Sequence, residues 1–123
     1  MIGEKNKILI IDDEEDICFI LKHYLNNQAH LVSCALSLKD GILKIKELSP
    51  EILFLDISLP DGSGLNSVKK IKRINPTMKI AIISAYDSQE DFSKAMDAGA
   101  DAYITKPFSR SIILKTIEDF ILD

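Results

Sequence analysis

The sequence contains few of the residues that build zinc or redox sites. Its 123 residues include two cysteines and two histidines. Cys18 and Cys34 form no CxxC motif, and His23 and His30 lack the spacing of metal ligands. We therefore interpret the thiols as small, partly buried side chains and the histidines as surface residues.

Positive charge and long hydrophobic runs are also scarce. The chain carries 15 basic and 19 acidic residues, whereas nucleic-acid binders concentrate lysine and arginine on one face. No apolar run approaches the roughly 18 residues that a membrane span requires, and residues 1–5 are not the apolar segment of a signal peptide. We expect a cytoplasmic protein that binds neither nucleic acid nor membrane.

The composition that is present suits one globular domain. Hydrophobic residues make up 46% of the chain and charged residues 28%, and a chain of this length buries a core without disulfides or metals. We predict a single domain over residues 1–123.

Five short apolar runs alternate with five amphipathic segments. Strands are predicted at 7–11, 30–35, 52–56, 79–84 and 102–105. The predicted core-facing helix positions are Ile17, Ile20, Leu21, Tyr24 and Leu25; Leu38, Ile42, Ile45 and Leu48; Leu65, Val68, Ile71 and Ile74; Phe92, Ala95 and Met96; and Ile112 or Ile113, Ile117, Phe120 and Ile121. This alternation predicts an α/β fold with a doubly wound parallel sheet and right-handed crossovers.

Polar and special residues mark where helices begin and end. Ser37 and Ser88 are predicted to cap the second and fourth helices. Gly62 and Gly64 are expected to permit positive φ in the turn after the third strand. The predicted helix ends are Ser49-Pro50, Asn75-Pro76 and Gly99.

Asp56 is the last residue of the third predicted strand, whose continuous apolar sequence predicts that it is fully buried. In an open α/β sheet, ligands bind beyond the carboxyl ends of the strands. The same edge should collect Asp12 and Asp13 after the first strand, Ser84 after the fourth and Lys106 after the fifth. Crowded carboxylates repel one another and favour a hard cation such as Mg²⁺. Any one of these residues alone would be interpreted as a cap, turn or surface residue, but together they predict a site for phosphate and a divalent metal.

Five motifs follow one another along the chain. They are Asp12-Asp13 after an apolar strand, Leu55-Asp56-Ile57-Ser58-Leu59-Pro60-Asp61-Gly62, Ser84-Ala85, Tyr103 and Lys106-Pro107-Phe108. Together they resemble the receiver domain of two-component response regulators, and the resemblance runs from Lys7 to Leu122. It implies a flavodoxin-like fold in which a five-stranded parallel sheet of order 2-1-3-4-5 is flanked by five helices.

The resemblance also implies a chemistry. Asp56 would accept a phosphoryl group from a histidine kinase or a histidine phosphotransfer protein. Asp13, Asp56 and the backbone carbonyl of Ser58 would bind Mg²⁺ or Mn²⁺, and Asp12 would reach the metal through water. Lys106 would pair with the phosphoryl oxygens and precede a cis peptide bond. Such a domain catalyses only its own phosphotransfer and slow autodephosphorylation.

The implied output is a change of surface. Ser84 would bond the phosphoryl group and Tyr103 would turn inward, which reshapes the face made by the fourth helix, fifth strand and fifth helix. That face would control a downstream protein or output domain, in a monomer or a phosphorylation-dependent homodimer. The chain stops at Asp123, so no output domain is expected in it, and whether it acts alone or belongs to a longer regulator stays open.

Three further residues are expected to tune this system. Ser58 and Tyr86 match positions that shape water access to the phosphoryl group, and the bulk of Tyr86 is expected to slow hydrolysis. Phe19 lies opposite the core stripe of the first helix. We expect it to be exposed and to dock against a partner helix, although a lone apolar surface residue has no required function.

Other interpretations fit less well. A haloacid dehalogenase-type phosphatase needs a second acid, and Asp56-Ile57-Ser58 lacks it. A dinucleotide-binding loop at Gly62-Ser63-Gly64 lacks the third glycine. An EF-hand counted from Asp56 has Ser67 where glutamate is needed. A pseudo-receiver that is never phosphorylated remains the main alternative, disfavoured because the acidic cluster is complete.

Overall fold

The computed structural model of the protein describes residues 6–25 and 30–122. The strands are β1 (Asn6–Ile11), β2 (His30–Ala35), β3 (Ile52–Asp56), β4 (Ser58–Leu59), β5 (Gly62–Ser63), β6 (Lys79–Ser84) and β7 (Ala102–Thr105), and the helices are α1 (Glu15–Tyr24), α2 (Leu38–Leu48), α3 (Gly64–Ile74), α4 (Gln89–Ala98) and α5 (Arg110–Leu122). Residues 1–5, on which the signal-peptide interpretation rests, and residue 123 lie outside the described residues.

The main sheet has five parallel strands in the order β2-β1-β3-β6-β7. The short strands β4 and β5 are not part of this sheet, so β6 and β7 are its fourth and fifth strands along the chain. The order is therefore the predicted 2-1-3-4-5, and the predicted fold is confirmed. The sequence did not predict β4 and β5, a two-stranded antiparallel hairpin in which Leu59 pairs with Gly62. Pro60 and Asp61 form its turn, and both residue types favour turns.

Two apolar cores cover the two faces of the sheet. On one face, α1 and α5 pack against β1 and β3, with Leu21 and Ile117 among the buried contacts. On the other face, α2, α3 and α4 contribute residues such as Ile45, Val68 and Ala95. All five residues of β3 are buried, which explains the continuous apolar run before Asp56.

The predicted helix caps are confirmed. The side chain of Ser37 accepts a hydrogen bond from the Asp40 N–H (3.1 Å), and the side chain of Ser88 accepts one from the Asp91 N–H (3.2 Å). At the carboxyl ends, α2 stops before Ser49 and α3 stops before Asn75, while Gly99 ends α4 with φ 111°.

Several core-facing predictions are wrong in position. In α1, Cys18 is buried, whereas Ile20 is exposed, because the buried side of the helix centres on Cys18, Leu21 and Leu25. In α4, only a narrow side of the helix packs against the rest of the protein: Ala95 is buried, but Phe92 and Met96, also predicted in the core, are exposed. The exposed residues with an inward prediction are Ile20, Phe92, Met96 and Ile121. Of the alternatives Ile112 and Ile113, Ile113 is the buried one, and His30, interpreted as a surface residue, is partly buried.

Within the described parts of the chain, none of the helices combines the length and apolar character that crossing a membrane requires.

Candidate functional site

Three aspartates meet at the carboxyl edge of the sheet. Asp56 is the last residue of β3, and Asp12 and Asp13 directly follow β1, its parallel neighbour. Asp12 and Asp56 are buried, with 0% and 5% of their surface exposed, and Asp13 is exposed. One carboxylate oxygen from each of the three lies within 4.8 Å of the others. The convergence predicted from the sequence is therefore observed.

Backbone hydrogen bonds fix this edge. The Asp12 N–H donates to the Ala35 carbonyl (3.1 Å), which anchors the acidic loop to β2. Asp12 Oδ1 accepts from the Glu14 N–H (2.9 Å), and Asp56 Oδ1 accepts from the Ser58 N–H (3.2 Å). Each buried carboxylate thus has one oxygen oriented by its own loop and one oxygen turned toward the cluster.

Gly64 is required for a reason that the sequence analysis did not give. A Cβ at this position would lie 2.0 Å from the Asp56 carbonyl oxygen, so only glycine lets α3 start this close to β3. Positive φ occurs at Gly62 (157°), as predicted, but Gly64 is the first residue of α3 and does not have it. The expectation of positive φ at Gly64 is wrong. Glycine is required here because the backbone of α3 lies close to the backbone of Asp56.

Lys106 is the cation of the cluster. Its Nζ lies 3.1 Å from Asp12 Oδ2 and 3.9 Å from both Asp56 Oδ2 and Glu14 Oε1, with 15% of its side chain exposed. Burial alone would lower the pKa of Lys106, but attraction to Asp12, Asp56 and Glu14 outweighs it, so the pKa is raised. The predicted cis peptide bond before Pro107 is present.

Asp56 is held in an environment that disfavours its charge. Burial raises its pKa from 3.8 to about 6, and the negative charges of Asp12 and Asp13 act in the same direction. The Ser58 N–H and Lys106 oppose this rise without cancelling it. The cluster therefore contains more negative charge than the Lys106 ammonium group compensates, which suits a hard cation with oxygen ligands.

Ser84 and Tyr103 are joined through the backbone of Tyr86. Ser84 is fully buried, and its Oγ accepts a hydrogen bond from the Tyr86 N–H (2.9 Å). The Tyr103 hydroxyl donates to the Tyr86 carbonyl oxygen (3.1 Å), and its ring packs edge-on against Phe92 at 5.8 Å. The sequence motifs predicted a coupling of Ser84 to Tyr103 but not this link, because a backbone contact leaves no signature in side-chain type.

Asp61 is a second feature that the sequence analysis missed. Its carboxylate accepts hydrogen bonds from the Leu38 N–H (2.8 Å) and the Lys39 N–H (2.9 Å), at the start of α2. The bonds from Lys39 and Leu38 lower the pKa of Asp61. They tie the loop that follows Asp56 to a neighbouring helix, so this loop is anchored at both ends. Its Pro-Asp-Gly sequence indicated a turn but not this partner.

Comparisons with known proteins agree with the geometry. The family model of the response regulator receiver domain matches residues 8–118. The chemotaxis protein CheY of Thermotoga maritima is 32% identical over 112 residues, which are 90% of this chain and 93% of that protein. A CheY-like receiver domain protein from Methanospirillum hungatei JF-1 superposes with a TM-score of 0.89 at 32% identity, covering 94% of this chain and 93% of that one. The beryllofluoride-activated NtrC4 receiver domain dimer gives 0.87 at 33%, covering 93% of this chain and 94% of that one. The family match spans the whole acidic cluster, Ser84 and Lys106, so the chain belongs to the response regulator receiver domain family and is a signalling domain of two-component systems rather than a conventional enzyme.

Proposed function

We propose that Asp56 accepts a phosphoryl group from a histidine kinase or a histidine phosphotransfer protein, in a reaction that requires Mg²⁺ or Mn²⁺. The observation that carries this proposal is the placement of Asp56, buried at a strand end beside two further carboxylates and 3.9 Å from the Lys106 ammonium. Phosphoryl transfer asks a protein mainly to position the groups and stabilise charge, and this cluster has the parts to do both.

The donor set fits a hard divalent cation. Asp12, Asp13, Asp56 and the backbone carbonyl of Ser58 would hold it, the first of these through water. The raised pKa of Asp56 supports this assignment, since a group of carboxylates with excess negative charge is stabilised by added positive charge. When bound, the cation would neutralise charge on the oxygens of the transferred group.

The protein's own groups supply the remaining steps. One oxygen of Asp56 forms a bond to phosphorus while the bond from phosphorus to the donor nitrogen breaks. The Ser58 N–H holds Asp56 Oδ1 and so limits rotation of the attacking carboxylate. Lys106 lies closer to Asp12 (3.1 Å) than to Asp56 (3.9 Å). We infer that its ammonium turns toward the phosphoryl oxygens when they arrive.

The output follows from the neighbouring hydrogen bonds. Ser84 Oγ is the acceptor for Tyr86 N–H, and Tyr86 O is the acceptor for Tyr103, so a shift of the hydroxyl toward the phosphoryl group displaces a connected unit. The surface beside it carries exposed apolar side chains, including Phe92 and Met96. This face of α4, β7 and α5 is the proposed contact for a downstream protein, an output domain or a second copy of the chain.

Labelling with acetyl phosphate tests the phosphoacceptor. The wild type should gain one phosphoryl mass when Mg²⁺ is present and none in EDTA. Asp56→Asn should gain none, and Asp119→Asn, which changes an exposed carboxylate of α5, should behave as the wild type does. Mg²⁺-dependent labelling of Asp56→Asn would disprove the assignment. A wild type that never becomes labelled would favour the pseudo-receiver alternative.

Phe19 is the proposed contact for the phosphoryl donor. Phe19 is 72% exposed on α1, as the sequence predicted, and the neighbouring Ile20, which was predicted to face the core, is exposed beside it. Phe19→Glu should slow transfer from a histidine phosphotransfer protein while acetyl phosphate labelling stays intact. Leu43→Glu, at a 55% exposed position on α2, is the matched control. Equal transfer rates for both variants would leave Phe19 without a docking role.

A further inference from the structure

A groove lies between α2 and α3, on the face of the sheet opposite α1. Its volume is about 330 Å³, and the residues that line it are Leu38, Lys39, Ile42, Leu43, Asp61 and Lys70. Leu43 is 55% exposed, and Leu38 and Ile42 are partly exposed. The groove therefore combines apolar side chains that solvent can reach with one lysine from each helix.

The two helices carry an excess of positive charge on an acidic protein. Together α2 and α3 contain seven basic and two acidic residues, whereas the whole chain has 15 basic and 19 acidic residues. Two of the seven are partly buried, and their ammonium groups donate to carbonyl oxygens, Lys44 to Cys34 and Lys72 to Met78. The other five are exposed, and they are Lys39, Lys46, Lys69, Lys70 and Arg73. The surface around the groove is thus positive.

The spacing of these residues matches a helical ligand. On α2, the residues at i, i+3, i+4 and i+7 share one side of the helix, and they are Lys39, Ile42, Leu43 and Lys46. On α3, Lys70 and Arg73 are neighbours at i and i+3. A ligand that places apolar side chains in the groove would therefore meet positive groups from both helices. An amphipathic helix with carboxylates beside its apolar side has the complementary pattern.

Asp61 does not reverse the charge of the groove. Its carboxylate accepts hydrogen bonds from the Leu38 and Lys39 N–H groups at the amino end of α2, where the helix dipole is positive. These bonds also join α2 to the turn of the β4–β5 hairpin, so one wall of the groove is fixed before a ligand arrives. A preformed groove lowers the entropic cost of binding.

We propose that the groove between α2 and α3 binds an acidic amphipathic helix of a partner protein. A bilayer surface is flat, whereas these apolar side chains line a concave groove. A nucleic acid fits less well, because three of the six lining residues are aliphatic and none of the six is aromatic, as base stacking would require. This partner is distinct from the phosphoryl donor, whose proposed contact Phe19 is on α1, and its binding does not depend on phosphorylation of Asp56.

Fluorescence anisotropy with a labelled synthetic peptide tests the groove. The probe is an amphipathic helix of about five turns built from leucine, alanine and glutamate, and the control peptide has lysine in place of every glutamate. The wild type should bind the acidic probe at least about tenfold more tightly than the control, and added salt should weaken this binding. Circular dichroism verifies that each protein variant is folded.

Substitutions in the groove should weaken binding of the acidic probe. Lys39→Glu and Lys70→Glu should each do so on the order of fivefold, because each replaces an attraction by a repulsion. Leu43→Asn should have an effect of similar size through lost apolar contact. Lys115→Glu, at an exposed position of α5, should bind as the wild type does. In NMR titrations, the shifts that the probe causes should centre on residues 38–43 and 70.

Several results would overturn the proposal. They are no detectable binding of the acidic probe, equal binding of both peptides, unchanged binding by Lys39→Glu and Lys70→Glu, and NMR shifts centred on another surface. Phosphatidylglycerol vesicles, a single-stranded oligonucleotide and self-association in sedimentation are measured in parallel. If one of these depends on Lys39 and Lys70 while the acidic probe does not bind, the groove belongs to that other ligand and the proposal is wrong.

Discussion

The site has two sides that differ in charge. The acid side, formed by Asp12, Asp13 and Asp56 with Lys106, crowds charged groups at the ends of β1 and β3. The hydroxyl side, formed by Ser84, Tyr86 and Tyr103 at the ends of β6 and β7, is neutral. The hydroxyls of Ser84 and Tyr103 both form hydrogen bonds with the backbone of one residue, Tyr86.

This difference separates the chemical step from the response. On the acid side, burial and then the charges of Asp12 and Asp13 raise the pKa of Asp56 to about 6, and a bound cation would offset both effects. On the hydroxyl side, α4 buries Ala95 but leaves Phe92 and Met96 exposed, so few contacts oppose a local shift. The acid side, whose carboxylates are crowded and held by hydrogen bonds, is suited to bind a cation and react. The hydroxyl side, where α4 buries few side chains, is suited to move.

The largest expected effect is the loss of the Lys106 ammonium group from the acid side. Lys106→Met should lower the free energy of unfolding by about 3 kcal/mol at neutral pH, because it leaves the buried Asp12 carboxylate without its neighbouring cation. Urea denaturation followed by circular dichroism measures this change. Lys115→Met, which removes an exposed lysine of α5, should change the unfolding free energy by less than about 0.5 kcal/mol.

A double-mutant cycle shows whether charge is the cause. In an Asp12→Asn background, Lys106→Met should cost about 1 kcal/mol, since the carboxylate nearest to the lysine is then absent and only the more distant Asp56 (3.9 Å) loses a cation. Equal costs in both backgrounds would mean that the lysine acts through packing, and the contrast between the two halves would lose its electrostatic basis.

The next effect is a gain of stability with a defined pH dependence. The pKa of Asp56 is about 6 in the folded protein, against an ordinary value of 3.8. Between these values the folded state binds more protons than the unfolded state does, so metal-free wild type loses stability as pH rises from about 4 to about 6. Asp56→Asn escapes this loss. It should match the wild type near pH 4 and exceed it by on the order of 2 kcal/mol near pH 7.

Two controls sharpen this pH experiment. Asp119→Asn should show no growing difference from wild type over the same pH range, because its carboxylate is exposed. Saturating Mg²⁺ should narrow the gap between wild type and Asp56→Asn, since a cation bound by Asp56 stabilises its ionised form. A gap that widens toward low pH would contradict the raised pKa.

The acid side was predictable from the sequence to a degree that the hydroxyl side was not. Strand ends after apolar runs place side chains such as Asp12 and Asp56, because parallel strands end at one edge. The link that Tyr86 makes between Ser84 and Tyr103 could not be predicted, since it uses the backbone N–H and carbonyl oxygen, which every residue type except proline has.

Helix faces were predicted least well where packing is thin. Periodicity identifies an apolar stripe but not how much of it the neighbouring elements cover. On α4 the stripe includes Phe92 and Met96, yet Ala95 alone of the three is buried. On α1 a small thiol, Cys18, took the central position that the pattern gave to Ile20. Gly64 was identified as special, but its closeness to the Asp56 carbonyl depends on tertiary contact.

A smaller effect concerns coupling across the two halves. Beryllofluoride, a phosphoryl mimic, should shift NMR signals of wild type beyond the acid side and into residues 89–112, because Ser84 and Tyr103 both bond to the backbone of Tyr86. Couplings of this type are typically about 1–3 kcal/mol. Ser84→Ala should confine the shifts to the acid side. A full wild-type response in Ser84→Ala, or wild-type shifts that spare residues 89–112, would show that the halves communicate by another route.

The smallest expected effect isolates the exposed ring of Tyr86, whose side chain is 63% exposed at the mouth of the hydroxyl side. Tyr86→Ala keeps the N–H and the carbonyl oxygen, so both hydrogen bonds to Ser84 and Tyr103 can persist while the ring is lost. If the ring shields the acyl phosphate from water, hydrolysis should become a few-fold faster, a change of less than about 1 kcal/mol in the barrier. Tyr86→Phe, which retains the ring, should hydrolyse at the wild-type rate. Loss of the phosphoryl mass over time measures both rates. An unchanged or slower rate for Tyr86→Ala would mean that the Tyr86 ring does not limit access of water to the acyl phosphate, and that the hydroxyl side affects only the conformation of the output surface.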